Sequence, residues 1–106
     1  MDIQLRRALL DVCTLATIKD EPSYGYKIIK DMSSFISISE STLYPILRRL
    51  ESQSLLTVEN VEHNGRLRKY YKITELGKAR LENFKEEWKE VIAVYNLITK
   101  GVENSD

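Results

Sequence analysis

The spacing of apolar residues changes along the chain, and each change marks an element. Leu5, Ala8, Leu9, Val12, Cys13 and Ala16 recur every three or four positions, which predicts one buried face of a helix over about 2–19. Lys19-Asp-Glu-Pro22 ends it, because proline disfavours helical backbone in the residue before it. Ser23 then reads as the N-cap of a second helix running to about 34, with Ile28, Ile29 and Met32 inward. Gly25 in its first turn leaves room for a neighbouring helix. A third helix starts at Ser39, with Leu43, Ile46, Leu47 and Leu50 forming one stripe. Pro45 lies within it and removes the donor due to the carbonyl of Ser41.

From residue 56 the period shortens to two. Stretches 56–61 and 68–73 read as strands, joined through His63-Asn64-Gly65-Arg66, where Asn-Gly is the strongest short signal for a hairpin. Arg66, Arg68, Tyr70 and Lys72 fall on one face of the second strand, and Leu67, Tyr71 and Ile73 on the other. Thr74 caps a last helix over 75–100, about 39 Å long at 1.5 Å per residue. Its Leu81, Phe84, Trp88, Val91, Tyr95 and Ile98 alternate spacings of three and four, a heptad seam. A helix this long in so small a chain has little core of its own to cover the whole seam. Packing on a second copy is therefore expected, against the alternative of packing on the first helix. The expected fold is mainly α (α+β): a winged helix-turn-helix of three helices and a two-stranded hairpin wing over 1–74, then a long dimerisation helix over 75–100 and a frayed tail over 101–106.

The polar positions give this scaffold a candidate surface. Ser41, Thr42, Tyr44, Arg48 and Arg49 lie off the stripe of the third helix, and such side chains suit base edges and phosphates in a major groove. A merely solvated face is the plain alternative, as it is for the charged hairpin. Between Ser41 and Thr74 there are six basic residues and three acidic ones, although the whole chain carries 16 of each and has a formal net charge of zero. A local basic surface on a neutral protein suits selective contact rather than indiscriminate coating of nucleic acid.

Composition excludes more than it assigns. At 106 residues, 42% hydrophobic and 30% charged, the chain is one soluble-type domain with a modest core, and no apolar run approaches a membrane span. No basic-then-apolar leader opens it, so a cytoplasmic protein is the default expectation. One cysteine rules out an internal disulfide, and Cys13 with His63 cannot build a zinc site of the usual kind. Without a phosphate-cradling glycine loop or a nucleophile–base set, neither an enzyme nor a cofactor is expected.

Four segments together resemble the PadR-like transcriptional regulators. Pro22-Ser-Tyr-Gly-Tyr26 is similar to the start of that family's second helix, and Ser41-Thr-Leu-Tyr-Pro-Ile-Leu-Arg-Arg-Leu-Glu51 to its recognition helix. Gly65-Arg-Leu-Arg-Lys-Tyr-Tyr71 and Ile73-Thr-Glu-Leu-Gly77 resemble its wing and the start of its last helix. The resemblance implies a homodimeric, usually repressing, DNA-binding protein on an inverted repeat. It implies base or phosphate contacts for Ser41, Thr42 and Tyr44, backbone contacts for Arg48 and Arg49, flanking contacts for Arg66, Arg68 and Lys69, and a phosphate contact for Tyr26. It further implies a planar aromatic effector between subunits against Trp88, with Tyr95 one heptad away; plain dimer core is the alternative for that pair. Two positions depart from the family's pattern: Ser54 stands where glycine is common, and Leu67 where the wing often has proline. Ser54 is thereby expected to adopt a left-handed cap, and the wing to be less rigid. A winged helix serving as a protein-interaction module, without DNA binding, is the rival class.

Overall fold

The computed structural model describes residues 1–102. Helices α1 (Ile3–Thr17), α2 (Gly25–Met32) and α3 (Glu40–Ser52) precede a hairpin of β1 (Leu56–His63) and β2 (Arg66–Ile73), and α4 (Glu75–Lys100) closes the chain. This is the winged helix-turn-helix order with a long final helix. Of the expected tail, Gly101 and Val102 lie outside the helix, and the remainder is outside the described residues.

The core forms where α1, α2 and α3 meet the base of the hairpin. Ile28 and Met32 from α2, Leu43, Leu47 and Leu50 from α3, and Leu56 from β1 are all nearly sealed from solvent. Each such side chain stabilises the fold by about 1.5–3 kcal/mol relative to its exposed state. The face of α1 that enters this core coincides only in part with the one its periodicity suggests: Val12 is buried and Cys13 packs against the core. Leu10, Thr14, Leu15 and Ile18 are buried, whereas Leu5 and Ala16 are exposed. The expected stripe also borders α4: Leu9, Val12, Cys13 and Ala16 line a groove of about 620 Å³ with Leu81 and Phe84. Two opposed apolar faces on one helix blur the single-stripe pattern. Thr14 is tolerated inside because its hydroxyl donates to the Leu10 carbonyl at 2.7 Å.

Ser23 does not cap α2. It is buried and forms an isolated β-bridge with Tyr71, through Ser23 N to Tyr71 O at 3.1 Å and Tyr71 N to Ser23 O at 2.7 Å. Tyr24 takes the cap position, without a side-chain cap bond. The bridge ties the start of α2 to the wing, a pairing across 48 positions that no local pattern announces.

The hairpin is longer than the sequence predicts, because β1 and β2 pair in register up to His63 and Arg66. Only Asn64 and Gly65 form the turn, with φ of 51° and 77°, the two-residue geometry that matches strand twist. Leu67 parts from Tyr71 and Ile73: those two are buried, while Leu67 is 76% exposed. The tip of the wing extends beyond the body, so both its faces meet solvent. Ser54 adopts φ 62°, the expected left-handed cap. Thr74 then locks the far end of the wing to α4, accepting from Gly77 N at 3.0 Å and donating to the Ser54 carbonyl at 2.7 Å.

Candidate nucleic-acid interface

A cleft of about 530 Å³ opens between the start of α3 and the inner edge of the wing. Tyr24, Gly25 and Tyr26 of the α2 start, Glu40 and Tyr44 of α3, and Leu67, Arg68, Lys69 and Tyr71 of β2 line it. Gly25 lets Tyr44 approach closely: a Cβ there would lie 2.6 Å from the Tyr44 hydroxyl, which would have to move aside. The close approach expected at Gly25 is thus filled by a side chain of α3.

The start of α3 carries Ser39, Ser41 and Thr42, all exposed. The Ser39 hydroxyl lies 2.9 Å from that of Ser41 and 3.3 Å from that of Thr42, and makes no cap bond to the helix backbone. Thr42 N donates to the Ser39 carbonyl at 3.1 Å, which leaves the Glu40 and Ser41 N–H groups of the first turn for an outside acceptor, and the helix dipole favours that acceptor being anionic. Tyr44 is 38% exposed and Tyr26 70%. Glu40 is the cleft's carboxylate, and it disfavours a phosphate immediately beside it.

On the opposite wall, Arg68 is held by aromatic rings. Its guanidinium lies 4.2 Å from the centre of the Tyr24 ring, and Tyr24 meets Tyr70 edge-on at 5.6 Å. Such a contact orients the charge while leaving its donors available. Tyr24 and Tyr70 were not candidates from sequence, where nothing local connects residues 46 positions apart. Arg66, Lys69 and Lys72 are exposed along the same strand. Arg48 is exposed on α3, but its neighbour Arg49 departs from the expected outward orientation. The Arg49 guanidinium is turned against α1 and ion-paired with Asp11, with side chains only 22% and 17% exposed.

The expected seam of α4 divides. Leu81 and Phe84 are half-buried on their own chain, beside the apolar face of α1, and Trp88 stacks on Phe84 with ring centres 5.1 Å apart. Leu81 packs against the core because the first turns of α4 lie against α1, while Phe84 lines the groove between the two helices. Val91, Tyr95 and Ile98 remain exposed, with Val94 beside them in a shallow groove bordered by Glu87 and Glu90. Trp88 does not line that groove, so a single chain does not bring Trp88 and Tyr95 into one cavity. Burial pushes the Cys13 thiol up from its ordinary value, which fits packing rather than reactivity. Among the described residues no helix is long and apolar enough to cross a membrane.

Residues 14–83 match the transcriptional regulator PadR-like family, and these contain α2, α3, the wing and the start of α4. The chain belongs to that family. As a PadR-like protein it is a transcriptional regulator, not an enzyme. An uncharacterised protein of Lysinibacillus sphaericus is 37% identical over 103 residues, covering 92% of this PadR-like chain and 94% of its own. A transcriptional regulator of Mycobacterium tuberculosis is 33% identical over 79 residues, 74% of each chain. The X-ray structure of a PadR-like transcription factor from Bacteroides fragilis superposes with a TM-score of 0.79 at 37% identity, covering 90% of this chain and 94% of that one.

Proposed function

We propose that this PadR-like protein is a homodimeric repressor that reads an inverted repeat in double-stranded DNA, and that a planar aromatic ligand at the dimer interface relieves it. The observation that carries the reading is the cleft flanked by the hydroxyl-rich start of α3 on one side and Arg68 and Lys69 on the other. Ser41, Thr42 and Tyr44 meet base edges or adjacent phosphates, and Arg48 meets the backbone as α3 enters the major groove. Arg66, Arg68 and Lys69 hold the flanking duplex, and Tyr26 a phosphate at the start of α2. The exposed half of α4, including Val91, Tyr95 and Ile98, pairs two copies so that their α3 helices reach successive major grooves about 34 Å apart. Glu40 keeps phosphates from one side of the cleft, so that side faces bases.

The test is selection of fragments from the organism's own DNA, starting beside the encoding gene, followed by titration over a salt series. The expected result is two chains per duplex, with affinity that falls steeply as salt rises. No binding to any fragment in low salt overturns the reading, as does a protein that stays monomeric at micromolar concentration. Repression is read as reduced transcript from the bound promoter. For the ligand, planar aromatic compounds quench Trp88 fluorescence at low concentration and weaken the DNA complex; absence of quenching across a broad panel removes the effector from the proposal.

A further inference from the structure

Arg48 and Arg49 are adjacent on α3 but have different surroundings. Arg48 is exposed, whereas Arg49 reaches across to α1, where its Nη2 donates to Oδ1 of Asp11, 38 positions earlier. The Nε of Arg49 is buried and has no hydrogen-bond partner among the described residues, and only 22% of the side chain is exposed. A charge so placed is poorly disposed to meet a phosphate.

We infer that Arg49 is a positioning residue for DNA reading: paired with Asp11, it fixes the rotation of α3 against α1 and thereby aims Thr42 and Ser41. The inference rests on the DNA-binding reading above. The apolar stripe of Leu43, Ile46, Leu47 and Leu50 holds α3 to the core, but apolar contact is non-directional and leaves rotation loosely defined. A charge-assisted hydrogen bond to a fixed neighbour defines it. Thr42 lies seven positions before Arg49, on the same side of α3 two turns away, so any roll that breaks the pair swings Thr42 as well. A partly buried ion pair adds little net stability, and holding one arrangement among several is a role that suits it.

The experiment compares the wild-type chain with R49Q, D11N and the D11N/R49Q double variant. Each is titrated with a selected operator fragment and with a scrambled duplex of equal length, over a salt series. The expected result is that each variant loses about tenfold or more of the operator-over-scrambled ratio, the size of one mismatched base pair, with an unchanged salt slope. The double variant loses no more than either single one, because the two residues act as a unit. If instead Arg49 contacts phosphate, R49Q weakens both duplexes alike and lowers the salt slope by about one per subunit. D11N then frees the arginine, tightening both complexes and steepening the slope; either outcome overturns the inference. Melting temperatures that fall while discrimination stays intact overturn it equally. Should a single variant fail to fold, the double variant, which leaves no unpaired charge, carries the comparison. A wild-type chain that binds no DNA sinks the DNA reading and the inference with it. A wild type that discriminates alongside variants that also discriminate sinks the inference alone.

Discussion

Arg68 is oriented before any duplex arrives, stacked on Tyr24 and backed by Tyr70. Replacing Arg68 with alanine is expected to weaken binding to all sequences alike and to lower the salt slope by about one per subunit, read from titrations at several salt concentrations. Tyr71, 4% exposed beneath the wing, sets a different dependence. Burial raises its phenol above the ordinary value near 10, so the unfolded chain ionises first as pH climbs. Its contribution is complete below about pH 10 and is lost as pH rises through the folded value. The Cys13 thiol, also raised by burial, acts in the same direction from a lower pH. Thermal melts between about pH 9 and 11 should therefore decline less for a chain carrying Tyr71→Phe and Cys13→Ala than for the wild type; parallel curves contradict this. At this scale the sequence was legible where chemistry is local. The Asn64-Gly65 turn, the Thr74 cap and the left-handed Ser54 follow from residue type and position. The Tyr24–Arg68 stack and the Asp11–Arg49 pair do not, because each joins residues dozens of positions apart.

Among the elements, α3 and α4 are seated by glycines that tolerate substitution differently. A Cβ at Gly77 would lie 2.2 Å from the Leu55 carbonyl oxygen, a backbone atom that cannot move aside. Gly77→Ala should cost on the order of 3 kcal/mol and lower the melting temperature accordingly. At Gly25 the obstacle is the far end of Tyr44, which swings toward the open cleft. Gly25→Ala should thus leave the melting temperature nearly unchanged while altering operator preference, as seen by repeating the fragment selection with the variant. Helix periodicity identifies α2, α3 and α4 closely but shows only part of the core face of α1, its Val12 and Cys13. That helix carries a second stripe, Leu10, Thr14, Leu15 and Ile18, whose buried threonine made it look the more polar of the two. Likewise Ser23 has the composition of a cap and the position of a strand, and only the presence of Tyr71 opposite it decides between them.

The whole molecule is elongated, 68 × 27 × 21 Å with a radius of gyration of 16.9 Å, against about 13 Å for a compact chain of this length. The excess is α4, whose outer half carries Val91, Ile92, Val94, Tyr95 and Ile98 into solvent. Replacing Ile98 and Tyr95 with glutamate should convert a dimer to a monomer in light scattering while leaving the melt of the winged body nearly intact. A variant that remains dimeric would place the self-contact elsewhere. The heptad spacing in the sequence marks this helix out, yet it does not separate Leu81 and Phe84, which border α1, from the exposed residues beyond them. That division gives α1 its particular place in the architecture. One flank of α1 supports the helix that carries the exposed apolar tip, and the other grips α3 through Asp11. Under the proposed function α1 is an axle between two docking events, and thermodynamic reciprocity then applies: whatever factor self-association adds to operator affinity, operator must return to self-association. Measured dissociation of the pair, with and without a palindromic duplex, should differ by that same factor.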